Sequence, residues 1–119
     1  MSRFAILRHD SPDGLHWDFL LEAGPSLKTW RLANPPEPGI ELVCEALPDH
    51  RLEYLDYEGP ISGGRGSVAR WDGGVYETQC EDQGQWMVQL RGQRLIGRVS
   101  LRRMPERPAE WRLLWSGEA

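Results

Sequence analysis

Leu15-His16-Trp17-Asp18-Phe19-Leu20-Leu21-Glu22 decides the fold. Leu15, Trp17, Phe19 and Leu21 alternate with His16, Asp18, Leu20 and Glu22, which is the period of a β-strand with one apolar face and one mostly polar face. Leu20 interrupts the polar face. Working outward, the same period predicts strands at Arg3 to Leu7, Leu27 to Leu32, Glu41 to Ala46, Arg51 to Asp56, Ser67 to Trp71, Val75 to Glu77, Gln85 to Leu90, Leu95 to Leu101 and Trp111 to Trp115. Asp72-Gly73-Gly74 reads as a hairpin turn, as does Arg91-Gly92-Gln93. Asn34-Pro35-Pro36-Glu37-Pro38-Gly39 reads as a stiff loop within one domain, since both flanks read as strands. No segment sustains a helical period. The expectation is an all-β single domain over residues 1–119, a sandwich or a compact barrel of roughly eight short, mainly antiparallel strands.

With 119 residues the chain can bury a real core. Chains of this size hide roughly two-thirds of the surface they expose when unfolded, and six tryptophans supply large core pieces. No run approaches the roughly 18 apolar residues of a membrane-spanning helix, and the N-terminal run is too short for a signal peptide. A cytoplasmic protein is expected. Cys44 and Cys80 lack metal or redox spacing and are expected to be buried thiols in a reducing compartment.

The net charge of −4 argues against a protein that coats nucleic acid through a broad basic surface. Residues 1–60 carry five Lys or Arg against eleven acids, and residues 61–119 carry nine Arg against seven. The first half is acidic, as a cation site requires. The arginines of the second half suit either phosphate contacts or solvated strand faces.

His16 and Asp18, two residues apart on one strand face, can offer two ligands to one ion. His9 can fold back across Ser11-Pro12-Asp13-Gly14 to offer a third. Two imidazoles and a carboxylate suit a first-row divalent metal with positions left open for water or substrate. Taken alone, a His-x-Asp pair on a strand is more often a hydrogen-bonded surface or core pair than a metal site.

The wider chain resembles the 3′-phosphoesterase domain that occurs at the N-terminus of bacterial DNA ligase D and as stand-alone proteins. The family carries a histidine, a short loop and Leu-His-Tyr-Asp-Phe-Arg-Leu-Glu, and here Leu15 to Glu22 follows His9. Leu27-Lys28-Thr29-Trp30, Asp49-His50-Arg51-Leu52-Glu53-Tyr54, Tyr57-Glu58-Gly59 and Gly66 to Gly74 match later motifs in order and approximate spacing. Leu95 to Leu101 and Trp111 to Leu114 match the closing strands. The resemblance covers residues 3–115.

It implies a β-barrel with a polar cavity and manganese-dependent removal of 3′-phosphate or 3′-terminal ribonucleoside blocks from DNA ends, with another divalent transition metal as the substitute. The implied metal ligands are His9, His16 and Asp18, and the implied catalytic residues are His50, Tyr54 and Lys28. Implied partners are DNA or RNA-terminated DNA 3′ ends and an end-joining ligase, with no membrane. His50 would protonate the leaving oxygen or hydrogen-bond the phosphate, and Lys28 would add positive charge there. Strand alternation would put Tyr54 on the same face as His50, where a half-buried strand aromatic is the other reading.

The chain departs from the family pattern at several points. Leu20 stands where the family usually has an arginine, and leucine cannot clamp a phosphate. The loop from His9 to His16 is one residue longer than usual, and the family's basic N-terminal arm is expected to be missing. Glu41, Leu42 and Glu45 occupy a region that often supplies another arginine, with Arg65 and Arg70 as the candidates to compensate. Two further readings therefore stand beside the enzyme: a barrel that binds phosphorylated ends or a repair partner without turnover, and a metal-free β-domain with structural histidines.

Overall fold

The computed structural model describes residues 1–117. Nine strands form one antiparallel sheet: β1 (Ser2–Ser11), β2 (Gly14–Ala23), β3 (Ser26–Leu32), β4 (Glu41–Arg51), β5 (Gly59–Pro60), β6 (Ser67–Asp82), β7 (Gln85–Arg91), β8 (Ile96–Met104) and β9 (Arg107–Gly117). The order is β1-β2-β3-β4-β9-β8-β7-β6-β5, and β1 also pairs with β6. That pairing closes eight strands into a ring and leaves the two-residue β5 as an appendage on β6. Closure removes the exposed edges that an open sheet would present. Among the described residues no helix is long and apolar enough to cross a membrane.

The inside of the ring is an apolar core to which all eight ring strands contribute. It includes Phe4, Ile6, Phe19, Leu21, Trp30, Leu32, Tyr76, Trp86, Val88, Leu90, Val99, Leu101 and Leu113, with Trp17, Trp71, Trp111 and Trp115 packed against it. The tryptophans thus serve mainly as core pieces. A second cluster lies on the outer face of β1, β2, β3 and β6, where Ala5, Leu7, Leu20, Leu27 and Val68 meet Leu55. Strand alternation explains both clusters: Phe19 and Leu21 face inward, while His16, Asp18 and Leu20 face outward. The polar depression is accordingly outside the ring.

Two expected elements are corrected. Arg51 to Asp56 is not a strand, because β4 ends at Arg51 and Leu52–Leu55 forms a single 3₁₀ turn. The turn drives Leu55 into the outer cluster, which a continuing strand could not do. Its far end is tied to β1 by Arg3, whose guanidinium donates to both Asp56 oxygens at 3.0 and 2.6 Å. This bond holds the Asp56 carboxyl below its usual value.

Asp72-Gly73-Gly74 is not a hairpin either, since β6 runs through it and bulges against β1 between the Ile6 and Leu7 pairings. A Cβ on Gly74 would sit 2.0 Å from the Arg91 carbonyl oxygen, so this glycine serves close backbone approach rather than a turn. Asp72 is buried and accepts hydrogen bonds from the backbone N–H groups of Gly73, Gln93, Arg94 and Leu95. It thereby braces the β7–β8 turn expected at Arg91-Gly92-Gln93.

The proline segment is a loop between β3 and β4, pinned by the Gly39 N–H donating to the Trp115 carbonyl at 2.8 Å. Both cysteines are free. Cys44 is buried as expected, and burial pushes its thiol up to about 12. Cys80, near the end of β6, is exposed, contrary to expectation.

Candidate functional site

His9 on β1 and His16 on β2 are direct cross-strand partners, which places their rings 4.4 Å apart and edge-on. Asp18 follows His16 on the same outer face and is 4% exposed. One of its oxygens lies 3.4 Å from His9 Nδ1 and the other 3.4 Å from His16 Nε2. Ligand atoms of all three residues lie within 4.8 Å of one another.

His9 Nε2 lies 2.8 Å from the Arg65 carbonyl oxygen. A carbonyl only accepts, so Nε2 carries the proton and in the neutral ring Nδ1 is left as a lone pair facing Asp18. Two acceptors that face each other call for a cation between them, a proton or a metal ion. His16 Nε2 and Asp18 Oδ1 are buried with no hydrogen-bond partner, an arrangement that is costly unless something else satisfies them. Ligands bound at about 2.1 Å around one ion are separated by about 3.0–3.5 Å, a range that includes both His–Asp distances of 3.4 Å. The donor set therefore fits a divalent transition metal. Burial lowers the His16 pKa. Asp18 opposes that shift, while Arg31 and His9 reinforce it, so the ring favours the neutral form that a metal requires.

His50 and Tyr54 border the same depression as His9 and Asp18, a cavity of about 420 Å³. His50 is paired with Leu27 in the β3–β4 register, which puts it on the outer face. Its Nδ1 lies 3.0 Å from the Pro48 carbonyl, so Nδ1 bears the proton and Nε2 is free to exchange one. Tyr54 joins it from the 3₁₀ turn rather than from a strand. The two rings pack edge-on at 5.8 Å, and Tyr57 backs Tyr54 at 5.7 Å.

The segment after the turn completes the wall. Gly66, at φ +90°, would place a Cβ 1.9 Å from the Asp10 carbonyl oxygen. Only glycine lets this segment lie against β1 and bring the Arg65 carbonyl to His9.

Lys28 is not brought to the three ligand candidates. Its cross-strand partner is Leu21, an inward-facing residue, and its Nζ lies 3.3 Å from Asp49, which borders both this depression and the neighbouring one that Lys28 lines. Arg70 uses its guanidinium on the Leu55 carbonyl, and Arg65 turns its own to Ser62. Sequence reasoning missed Arg31. It is the β3 partner of Asp18 and borders both the depression just described and a neighbouring cavity of about 540 Å³ that includes His16. Only the strand register could have revealed it.

A model of the DNA ligase D 3′-phosphoesterase domain matches residues 7–103, a span that includes all three ligand candidates together with His50 and Tyr54. The chain belongs to this family. The multifunctional non-homologous end joining protein LigD of Pseudomonas aeruginosa is 34% identical over 110 residues, covering 83% of this chain and 13% of that protein. Its Mycobacterium tuberculosis counterpart is 34% identical over 95 residues, covering 72% and 12%. The Mycolicibacterium smegmatis protein is 30% identical over 115 residues, covering 83% and 15%. The chain thus spans only a small part of the length of these LigD relatives.

Position 20 is where the resemblance implied an arginine. Leu20 is fully buried against Ala5, Leu7, Leu27 and Leu55, so the surrounding packing is built for an apolar side chain. Leu20→Arg should therefore lower stability by about 2 kcal/mol without raising phosphate release above wild type. Urea unfolding and a phosphate-release assay check both parts, and a stable variant with faster turnover would contradict this reading of Leu20.

Proposed function

We propose that this chain is a manganese-dependent phosphoesterase that removes 3′-phosphate or 3′-terminal ribonucleoside blocks from DNA ends, preparing them for a polymerase or an end-joining ligase. The observation that carries this reading is the buried, unpartnered pair His16 Nε2 and Asp18 Oδ1, with the His9 Nδ1 lone pair turned toward the same point. His9, His16 and Asp18 would hold the ion. When bound, it supplies Lewis-acid polarisation of a phosphate oxygen and lowers the pKa of water.

The remaining work falls to the chain's own groups. His50 Nε2, unencumbered because Nδ1 is committed to Pro48, gives or takes a proton at the leaving oxygen. The Tyr54 hydroxyl orients the phosphate, with its ring steadied between His50 and Tyr57. Lys28 is outside the contact set. The free Cys80 on the surface suits a reducing compartment, and we place the reaction in the cytoplasm.

The test is release of inorganic phosphate from a 3′-phosphorylated DNA primer with manganese, with and without excess chelator. Turnover that chelator abolishes and manganese restores is expected. The buried Leu20, in place of an arginine, favours a second reading: a barrel that binds phosphorylated ends without turnover. Absence of phosphate release alongside measurable binding of the primer would select it.

A further inference from the structure

Every cation around the two outer cavities is committed except one. Arg51 pairs with Glu53 at 3.0 Å, Arg107 with Glu110 at 3.4 Å, and Arg65 with Ser62. Among the described residues Arg31 has neither an ion-pair partner nor a side-chain hydrogen bond, although it stands directly across from Asp18. Both oxygens of Asp18 are turned toward the histidines instead. An unpaired guanidinium therefore sits where the two cavities meet, beside the ligand candidates.

We propose that Arg31 is the phosphate-clamping residue of this chain, supplying from β3 the guanidinium that position 20 of β2 lacks. A cross-strand partner lies about 5 Å from Asp18, and an i+2 neighbour on the same face lies about 7 Å away. Either position can therefore present a long side chain to the same phosphate. The planar fork of the guanidinium meets two non-bridging oxygens of a phosphate at once, which leucine cannot do and lysine does less well. Because Arg31 is exposed and belongs to neither apolar cluster, the exchange keeps Leu20 in the packing while charge is recovered one strand away. A phosphate held at this junction has a cavity on each side, so monoester and diester ends both fit.

This inference rests on the phosphoesterase reading for the identity of the ligand, and its test is an equilibrium measurement that needs no turnover. A primer ending in a 3′-methylenephosphonate keeps the phosphate's charge but has no scissile bond. Its Kd and that of the same primer ending in a 3′-hydroxyl are compared by fluorescence anisotropy in manganese. Wild type is expected to prefer the phosphonate end by about tenfold or more. Arg31→Gln should reduce that preference to about twofold or less, and Arg31→Lys should retain an intermediate preference. A rise in thermal midpoint with manganese should persist in both variants, which shows that the ligand set is intact.

Preference undiminished in Arg31→Gln, or absent in wild type, overturns the clamp even if the enzyme turns over normally. Preference that depends on Arg31 in a protein without turnover upholds the clamp and instead refutes the phosphoesterase reading.

Discussion

Asp18→Ala should reduce phosphate release from a 3′-phosphorylated primer by about a thousandfold or more, because Lewis-acid stabilisation of a phosphoryl transition state is worth several kcal/mol. Asp18 is the only carboxylate of the triad, with one oxygen 3.4 Å from each histidine. Without it two neutral nitrogens remain, too weak a set to retain a divalent ion. The variant should also lose the manganese-dependent rise in thermal midpoint, since a ligand bound only to the native state must raise it. In chelator the variant should melt no lower than wild type. A buried carboxylate oxygen without a partner costs the metal-free fold stability, and its removal relieves that cost. Initial rates and two melting curves decide the matter. A variant with near-normal rates, or one that unfolds regardless of metal, would mean that Asp18 is structural.

The second large effect lies on the opposite side of β1. Asp72→Ala should destabilise the protein by about 3–5 kcal/mol, because four backbone N–H groups lose a charged acceptor, three of them in the turn between β7 and β8. The hydrogen bonds are 2.8 Å to Gly73, 2.8 Å to Gln93, 3.2 Å to Arg94 and 2.8 Å to Leu95. For a domain with about 5–15 kcal/mol of total stability this is a large share, equivalent to a fall of about 12–20 °C in Tm. Asp72→Asn should recover part of the loss through its remaining carbonyl oxygen. Calorimetry on the three proteins is the check, and a shift below a few degrees for Asp72→Ala would show that the turn does not depend on this brace.

What could be read beforehand follows from what period and composition encode. The alternation from Leu15 to Glu22 placed His16 and Asp18 on one face, and the short Ser11 to Gly14 turn was enough to suggest His9 as their neighbour. Register supplies the rest, and register is a property of two strands. Lys28 is implied as an active-site cation, but its register across from Leu21 sets it on the strand face opposite to Asp18, and Arg31 looks unremarkable until its pairing with Asp18 brings it to the site.

Leu20 reads as a lost arginine. In the fold it is also a packing residue, because the segment after β4 turns back over the outer face. That reversal was hidden because Leu52-Glu53-Tyr54-Leu55 alternates like a strand, whereas burial of Leu55 in the outer cluster requires a turn. Asp72-Gly73-Gly74 misled for a related reason. Its residues suit a hairpin, but here they permit backbone contact with Arg91 and a buried cap for the next turn.

The central claim is that His9, His16 and Asp18 form a divalent metal site on the outside of the ring. Crystals soaked in manganese and measured at the manganese absorption edge test it most directly. The expected result is one strong anomalous peak bounded by His9 Nδ1, His16 Nε2 and the Asp18 carboxylate, facing His50 across the depression and absent from Asp18→Ala crystals. A map with no peak there, or with manganese bound only at other acidic surface groups, would contradict it.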